Sequence, residues 1–239
     1  MPVVTLECDK VVKSFGSLRA LDGLTFTLKG EGIKGLIGPN GSGKSVLLNV
    51  ISRVPYPPDG GSITFNGRKL DGLKPSEVCK LGIGRTFQTI NFFPSLTVKQ
   101  NLLVGSESVG IDARVVDEAL KVTRLYEKKE AKASTLSVFE LKKLMMASSL
   151  AIDPKFLLLD EPLGGLGEAE AAATLKIIKE ISNSGKVILI VEHRIRDLMG
   201  ICDDMFVLHL GQLIAHGPPD KVVEDELVLS AYFGVGGHA

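Results

Sequence analysis

The chain has 239 residues, 44% of them hydrophobic, and its 28 Lys and Arg balance 28 Asp and Glu. That length suits one large domain or two closely joined subdomains, and a zero net charge supplies no global positive field to hold nucleic acid or anionic lipid. Apolar runs such as 156–159 (FLLL) and 187–191 (VILIV) are far too short to cross a bilayer, so membrane association is expected only through another protein.

In chain order, β-type runs at 3–8, 24–28 and 62–65, separated by Gly and Asp turns, predict a small antiparallel sheet. Residues 32–37 (GIKGLI) read as a short buried strand, and 44–53 (KSVLLNVISR) as a helix with apolar residues at helical spacing. Between them, 38–45 (GPNGSGKS) is a complete G-x-x-x-x-G-K-[ST] phosphate-binding loop, which points to a nucleoside triphosphate. Gly38, Pro39, Asn40, Gly41, Ser42, Gly43, Lys44, Ser45 and Val46 are the expected nucleotide contacts. The glycines let consecutive backbone N–H groups turn toward phosphate, Lys44 reaches the β and γ phosphates, and Ser45 offers its hydroxyl to Mg²⁺.

From about 98 to 151 the apolar residues fall at helical spacing, which predicts a helical insert. The chain then returns to strands at 156–159 and 187–191 around a helix at 168–182, a βαβ unit and hence parallel sheet. Residues 205–210 and 212–215, on either side of Gly211, read as a hairpin. Cys8, Cys79 and Cys202 are too few and too scattered for a disulfide framework or a metal site and suit a reducing cytosol. Residues 1–10 lack the features of a secretory signal, so a cytoplasmic location is expected.

The strand at 156–159 ends in Asp160 and Glu161, at the sheet edge where a phosphate loop also opens. Alone, such a pair is an acidic turn; beside the loop, Asp160 is expected to hold Mg²⁺ and Glu161 to polarise the attacking water. His193 follows the strand at 187–191 and should project from the same edge as a γ-phosphate sensor or transition-state stabiliser. Taken singly, Gln88 in 85–89 (RTFQT) is a polar loop residue and Phe15 is core or turn packing.

In this order and spacing, GPNGSGKS, RTFQT, LLLDEP and VEH resemble the nucleotide-binding subunit of an ATP-binding cassette (ABC) transporter over almost the whole chain. The resemblance implies a single ABC ATPase domain of the α/β class. Its P-loop NTPase (RecA-like) core with an antiparallel β subdomain would span 1–89 and 153–239, and its helical subdomain 90–152. It further implies an ATP- and Mg²⁺-dependent ATPase that closes as an ATP-sandwiched dimer and drives a permease at the inner face of the cell membrane. Phe15 would stack on adenine, Gln88 would sense Mg²⁺ and the attacking water while linking to the permease, and the insert would dock a cytoplasmic helix of the permease. The segment 192–222 and AYFG at 231–234 resemble the ATPase subunits of branched-chain amino-acid importers, whose urea and amide relatives are similar.

Two stretches depart from the family. Its LSGGQ signature, which meets ATP on the second subunit, is LSVFE at 136–140, so Ser137 is kept while Val138, Phe139 and Glu140 replace two glycines and a glutamine. Ser137 followed by Glu140 before an apolar helix also reads as a capping box. The Asp that links two cassettes is replaced by Gly167. The expected consequence is a heterodimer with a related ATPase that carries a full signature, a homodimer being the alternative. Two other classes are a non-transport ABC ATPase, and a nucleotide-gated binding module with low turnover.

Overall fold

The computed structural model describes residues 3–233. Val4–Phe15 (β1) and Leu18–Gly30 (β2) pair as a long antiparallel hairpin. Both strands outrun the expected 3–8 and 24–28. Register shifts between Cys8 and Ser14 break the two-residue alternation that marks a strand in sequence, yet pairing continues through them to Phe15 and Leu18. Ile33–Ile37 (β3) enters the phosphate loop and Lys44–Ser52 (α1) leaves it. Gly60–Phe65 (β4) and Arg68–Lys69 (β5) complete an antiparallel sheet of order β2-β1-β4-β5, followed by Pro75–Lys80 (α2) and Ile83–Arg85 (β6).

The helical stretch contains Val98–Val109 (α3), Ala113–Val122 (α4) and Val138–Leu150 (α5). Phe156–Asp160 (β7), Glu168–Asn183 (α6) and Val187–Val191 (β8) form the expected βαβ unit. Ile195–Met199 (α7) precedes the hairpin of Asp204–His209 (β9) and Gln212–Gly217 (β10), and Pro219–Val223 (α8) and Glu226–Phe233 (α9) close the described chain. Gly234, the last residue of AYFG, lies outside the described residues.

The second sheet runs β10-β9-β3-β8-β7-β6, parallel from β9 to β6 with β10 antiparallel at one edge. Its central strands are buried on both faces, which is why they read as unbroken apolar runs. Alternate side chains part to the two sides. Leu157, Leu159, Ile188 and Ile190 join the apolar cluster that extends into α3, α4, α5 and α6. Phe156, Leu158, Val187, Leu189 and Val191 join the cluster under α1 and the antiparallel sheet. The helical stretch therefore shares one core with the sheet, and α5 is seated directly on it. Among the described residues no helix is long and apolar enough to cross a membrane.

Candidate active site

β3, β7 and β8 are parallel neighbours, so the segments after them leave from the same sheet edge. After β3 the loop of residues 38–45 folds against β9 and β2. A Cβ at Gly38, whose φ is +150°, would collide with the Leu208 carbonyl, and one at Gly43, at φ +105°, would meet the Ala20 carbonyl at 2.5 Å. Only glycine permits this approach and these dihedrals together. Lys44, 5% exposed, donates to the carbonyls of Gly38 and Pro39 at 2.8 and 2.9 Å. Burial pulls its ammonium below the ordinary lysine range, and Glu161 and Asp160 work against that shift.

A cleft of ≈ 530 Å³ opens over the loop, lined by Asn40 to Val46 together with Phe15, Gln88, Glu161 and His193. Gln88 Nε2 donates to Glu161 Oε2 at 3.0 Å, and His193 Nε2 lies 2.6 Å from Glu161 Oε1. A carboxylate oxygen accepts, which assigns the imidazole proton to Nε2. Phe15, 44% exposed, meets Tyr56 edge-on at 5.1 Å and leaves its ring accessible from the cleft.

Asp160 sits behind the cleft, 4% exposed. Its N–H donates to Thr86 Oγ1 at 3.1 Å and its Oδ2 accepts from Arg85 Nη2 at 3.2 Å, while Oδ1 is buried without a protein partner. Burial pushes this carboxyl above its usual range and Arg85 opposes the shift. Ser137 does not line the cleft. It caps α5, accepting from the Glu140 N–H at 3.2 Å, while Glu140 Oε2 accepts from the Ser137 N–H at 3.1 Å, so the expected capping box is formed.

The sequence and the fold match those of known proteins. Residues 21–164 match the ABC transporter family and residues 212–238 match a family described as branched-chain amino acid ATP-binding cassette transporter. The chain belongs to the ABC transporter family and is an ATPase of that family. It is 31% identical to the high-affinity branched-chain amino acid transport ATP-binding protein LivG of Salmonella typhimurium, covering 96% of this chain and 97% of that protein. Identity is also 31% to a probable branched-chain amino acid transport ATP-binding protein LivG of Methanocaldococcus jannaschii, with the same coverage. Among solved structures, a nucleotide-free cassette from an ABC transporter aligns with TM-score 0.87 at 29% identity over 98% of this chain and all of that one. A cassette in its ADP conformation aligns with TM-score 0.87 at 30% identity over 97% and 99%.

Four residues of the candidate site carried no role in the sequence. Arg85 and Thr86 stand in RTFQT beside Gln88, and Glu192 stands in VEH beside His193, so a motif pointed at their position without giving a role. Lys142, in the interior of α5, had no such signal. Glu192 is 2% exposed and accepts from the Leu163 N–H at 2.6 Å. Burial above all raises its carboxyl, with Glu161 adding to the shift and the Leu163 and His193 N–H groups opposing it. A raised folded-state carboxyl gives stability that is full below its ordinary value and is lost as pH rises through the folded value. Glu192→Gln does not titrate and still offers an oxygen to Leu163, so it should gain stability relative to the parent as pH rises. Urea unfolding at about pH 5 and about pH 8 measures this, and a difference that does not move with pH counts against a raised carboxyl.

Proposed function

We propose that this ABC ATPase is the motor subunit of an importer of branched-chain amino acids or related small solutes. The observation that carries the reading is Glu161, held between Gln88 and His193 at the mouth of the phosphate-loop cleft. The loop N–H groups and the start of α1 receive the phosphates, and Lys44 leaves its own loop carbonyls to meet the β and γ oxygens. Glu161 accepts a proton from the attacking water, Gln88 orients that water, and His193 donates Nε2–H toward the γ phosphate. Phe15 stacks on adenine.

The donor set suits Mg²⁺. Asp160 Oδ1 is a buried carboxylate oxygen lacking a protein partner, the Ser45 hydroxyl stands on the loop, and Gln88 offers an amide oxygen. Among the described residues no group of three His, Cys, Asp or Glu forms a complete metal cage, which fits an ion that takes one or two carboxylates and fills its sphere with phosphate and water. When bound, Mg²⁺ would withdraw charge from the β and γ phosphates.

The residues 1–89 and 153–239 make the nucleotide core of this reading, and 90–152 its helical subdomain. A groove of ≈ 280 Å³ beside Gln88, lined by Val78, Phe87, Met145 and Ile152, suits a permease helix, which would hold the chain at the inner face of the membrane. Branched-chain solutes are supported by the match at 212–238 and by the names of the LivG relatives. The partner is a second ABC ATPase, a heterodimer being favoured by the altered signature at 136–140. Tagged chain drawn from membranes in mild detergent should bring down an apolar permease and a second cassette. In liposomes, that assembly should take up leucine only with ATP. Isolation of the chain with neither component, or with DNA or ribosomes, overturns the transport reading. A module of low turnover is the second reading, favoured by the self-capped start of α5.

A further inference from the structure

Glu161 is a non-glycine residue at φ +49°, in the left-handed region. That conformation costs about 1–2 kcal/mol and persists only where neighbours hold it. Four contacts do so. The Glu161 N–H donates to the Val191 carbonyl at 3.0 Å. The Glu161 carbonyl accepts from Lys142 Nζ and from the Gly164 N–H, each at 3.2 Å. Two residues on, the Leu163 N–H is taken by the Glu192 carboxylate at 2.6 Å. The first and last contacts come from β8 and the residue after it, whereas Lys142 comes from α5 in the helical stretch.

The position of Lys142 is costly for an ammonium. Burial lowers its pKa against the pull of Glu192 and Glu161. Lys142, Gln88, Asp160 and Glu161 border a space of only ≈ 10 Å³, room for one water at most, so the contact to Glu161 is packed in place. Glu161 and Glu192, each one residue beyond adjacent strands, repel each other, and both attract the Lys142 ammonium.

We propose that Lys142 is a positioning residue for ATP hydrolysis: with Glu192 it braces the backbone around Glu161, so the carboxylate is aligned when α5 is seated on the sheet. Movement of the helical stretch away from the core would withdraw Lys142 and leave the strained turn held by β8, Glu192 and its own Gly164 N–H. This rests on the reading of Glu161 as the base.

The test uses the full chain with Lys142→Met, Lys142→Arg and Glu161→Gln. Lys142→Met should lower kcat about 10- to 100-fold with the KM for ATP and the Tm nearly unchanged, the loss expected of a misplaced catalytic group. Lys142→Arg keeps the donor and the charge and should recover most of the rate. Amide exchange at Leu163 and Gly164 should accelerate about tenfold in Lys142→Met while β7 keeps its protection, a readout that stands even where turnover is slow. Parental kcat together with parental exchange in Lys142→Met overturns the brace, as does acceleration spread over the whole core with a lowered Tm. A Glu161→Gln variant that turns over like the parent overturns the base itself, whatever Lys142 does.

Discussion

Glu161→Gln should lose most turnover while still binding ATP. The substitution conserves shape, and the amide it introduces can be accommodated: Gln88 can flip its own amide to accept, so the grip seen at 3.0 and 2.6 Å from Gln88 and His193 can persist. What is removed is the basic oxygen. A positioned general base contributes about 10²- to 10⁴-fold, so kcat should fall by at least about 100-fold. The phosphate loop and Lys44 are untouched, so affinity for ATP should remain and the ATP-bound closed complex should accumulate. Single-turnover hydrolysis together with size-exclusion chromatography in Mg-ATP measures both effects. Turnover within about threefold of the parent would remove Glu161 as base and favour the low-turnover module.

This prediction depends on residues that were legible in the sequence to different degrees. The strand that carries Asp160 and the strand that precedes His193 are buried on both faces and announce themselves as apolar runs. Lys44 and Ser45 were legible because a loop that wraps phosphate demands glycine at fixed places, here Gly38 and Gly43 against neighbouring carbonyls. The hydrogen bond of Gln88 to Glu161, 73 positions apart, was not deducible from local pattern; the order of motifs implied only that both meet the attacking water. The length of β1 was hidden because its register shifts scramble the alternation. Lys142 and Glu192 were hidden for a different reason. Each is a single polar group whose role comes from one contact to a distant backbone atom, and a lone contact leaves no period in the sequence.

Restoring the signature should convert this chain into one that hydrolyses ATP cooperatively by itself. In the proposed ATP-sandwiched dimer, Glu140 would stand where a second subunit's γ phosphate is received. Its carboxylate takes the Ser137 N–H and pairs with Lys128 at 2.5 Å. The hydrogen bond from Lys128, before any other contact, holds that carboxyl below its ordinary range, so it stays anionic at neutral pH. A helix N-terminus yields about 0.3–1 kcal/mol to an exposed anion and up to about 2 kcal/mol to a partly buried one, and here the chain's own carboxylate takes that share. Val138, 57% exposed, adds a side chain where a phosphate would need close backbone approach. Phe139 is turned inward, packed with Leu163, Leu166 and Ala171 under the Lys143 ammonium, so it serves the fold more than it blocks the surface. The informative variant is therefore Val138→Gly with Glu140→Gln and Phe139 kept. Its stability cost should be about 1 kcal/mol, mostly from the glycine in the first turn of α5. At high protein concentration its ATPase rate should rise about tenfold over the parent and become sigmoidal in ATP, equivalent to about 1.4 kcal/mol of recovered transition-state binding. A parent chain that, alone and dilute, already hydrolyses ATP cooperatively at the rate of the mixed complex excludes the heterodimer. A repaired chain that stays at the parental rate with an unchanged Tm places the limit elsewhere. Gly167, where the resemblance implies an Asp that links two cassettes, would then be the remaining departure, and Gly167→Asp on the repaired background is the step that separates the two.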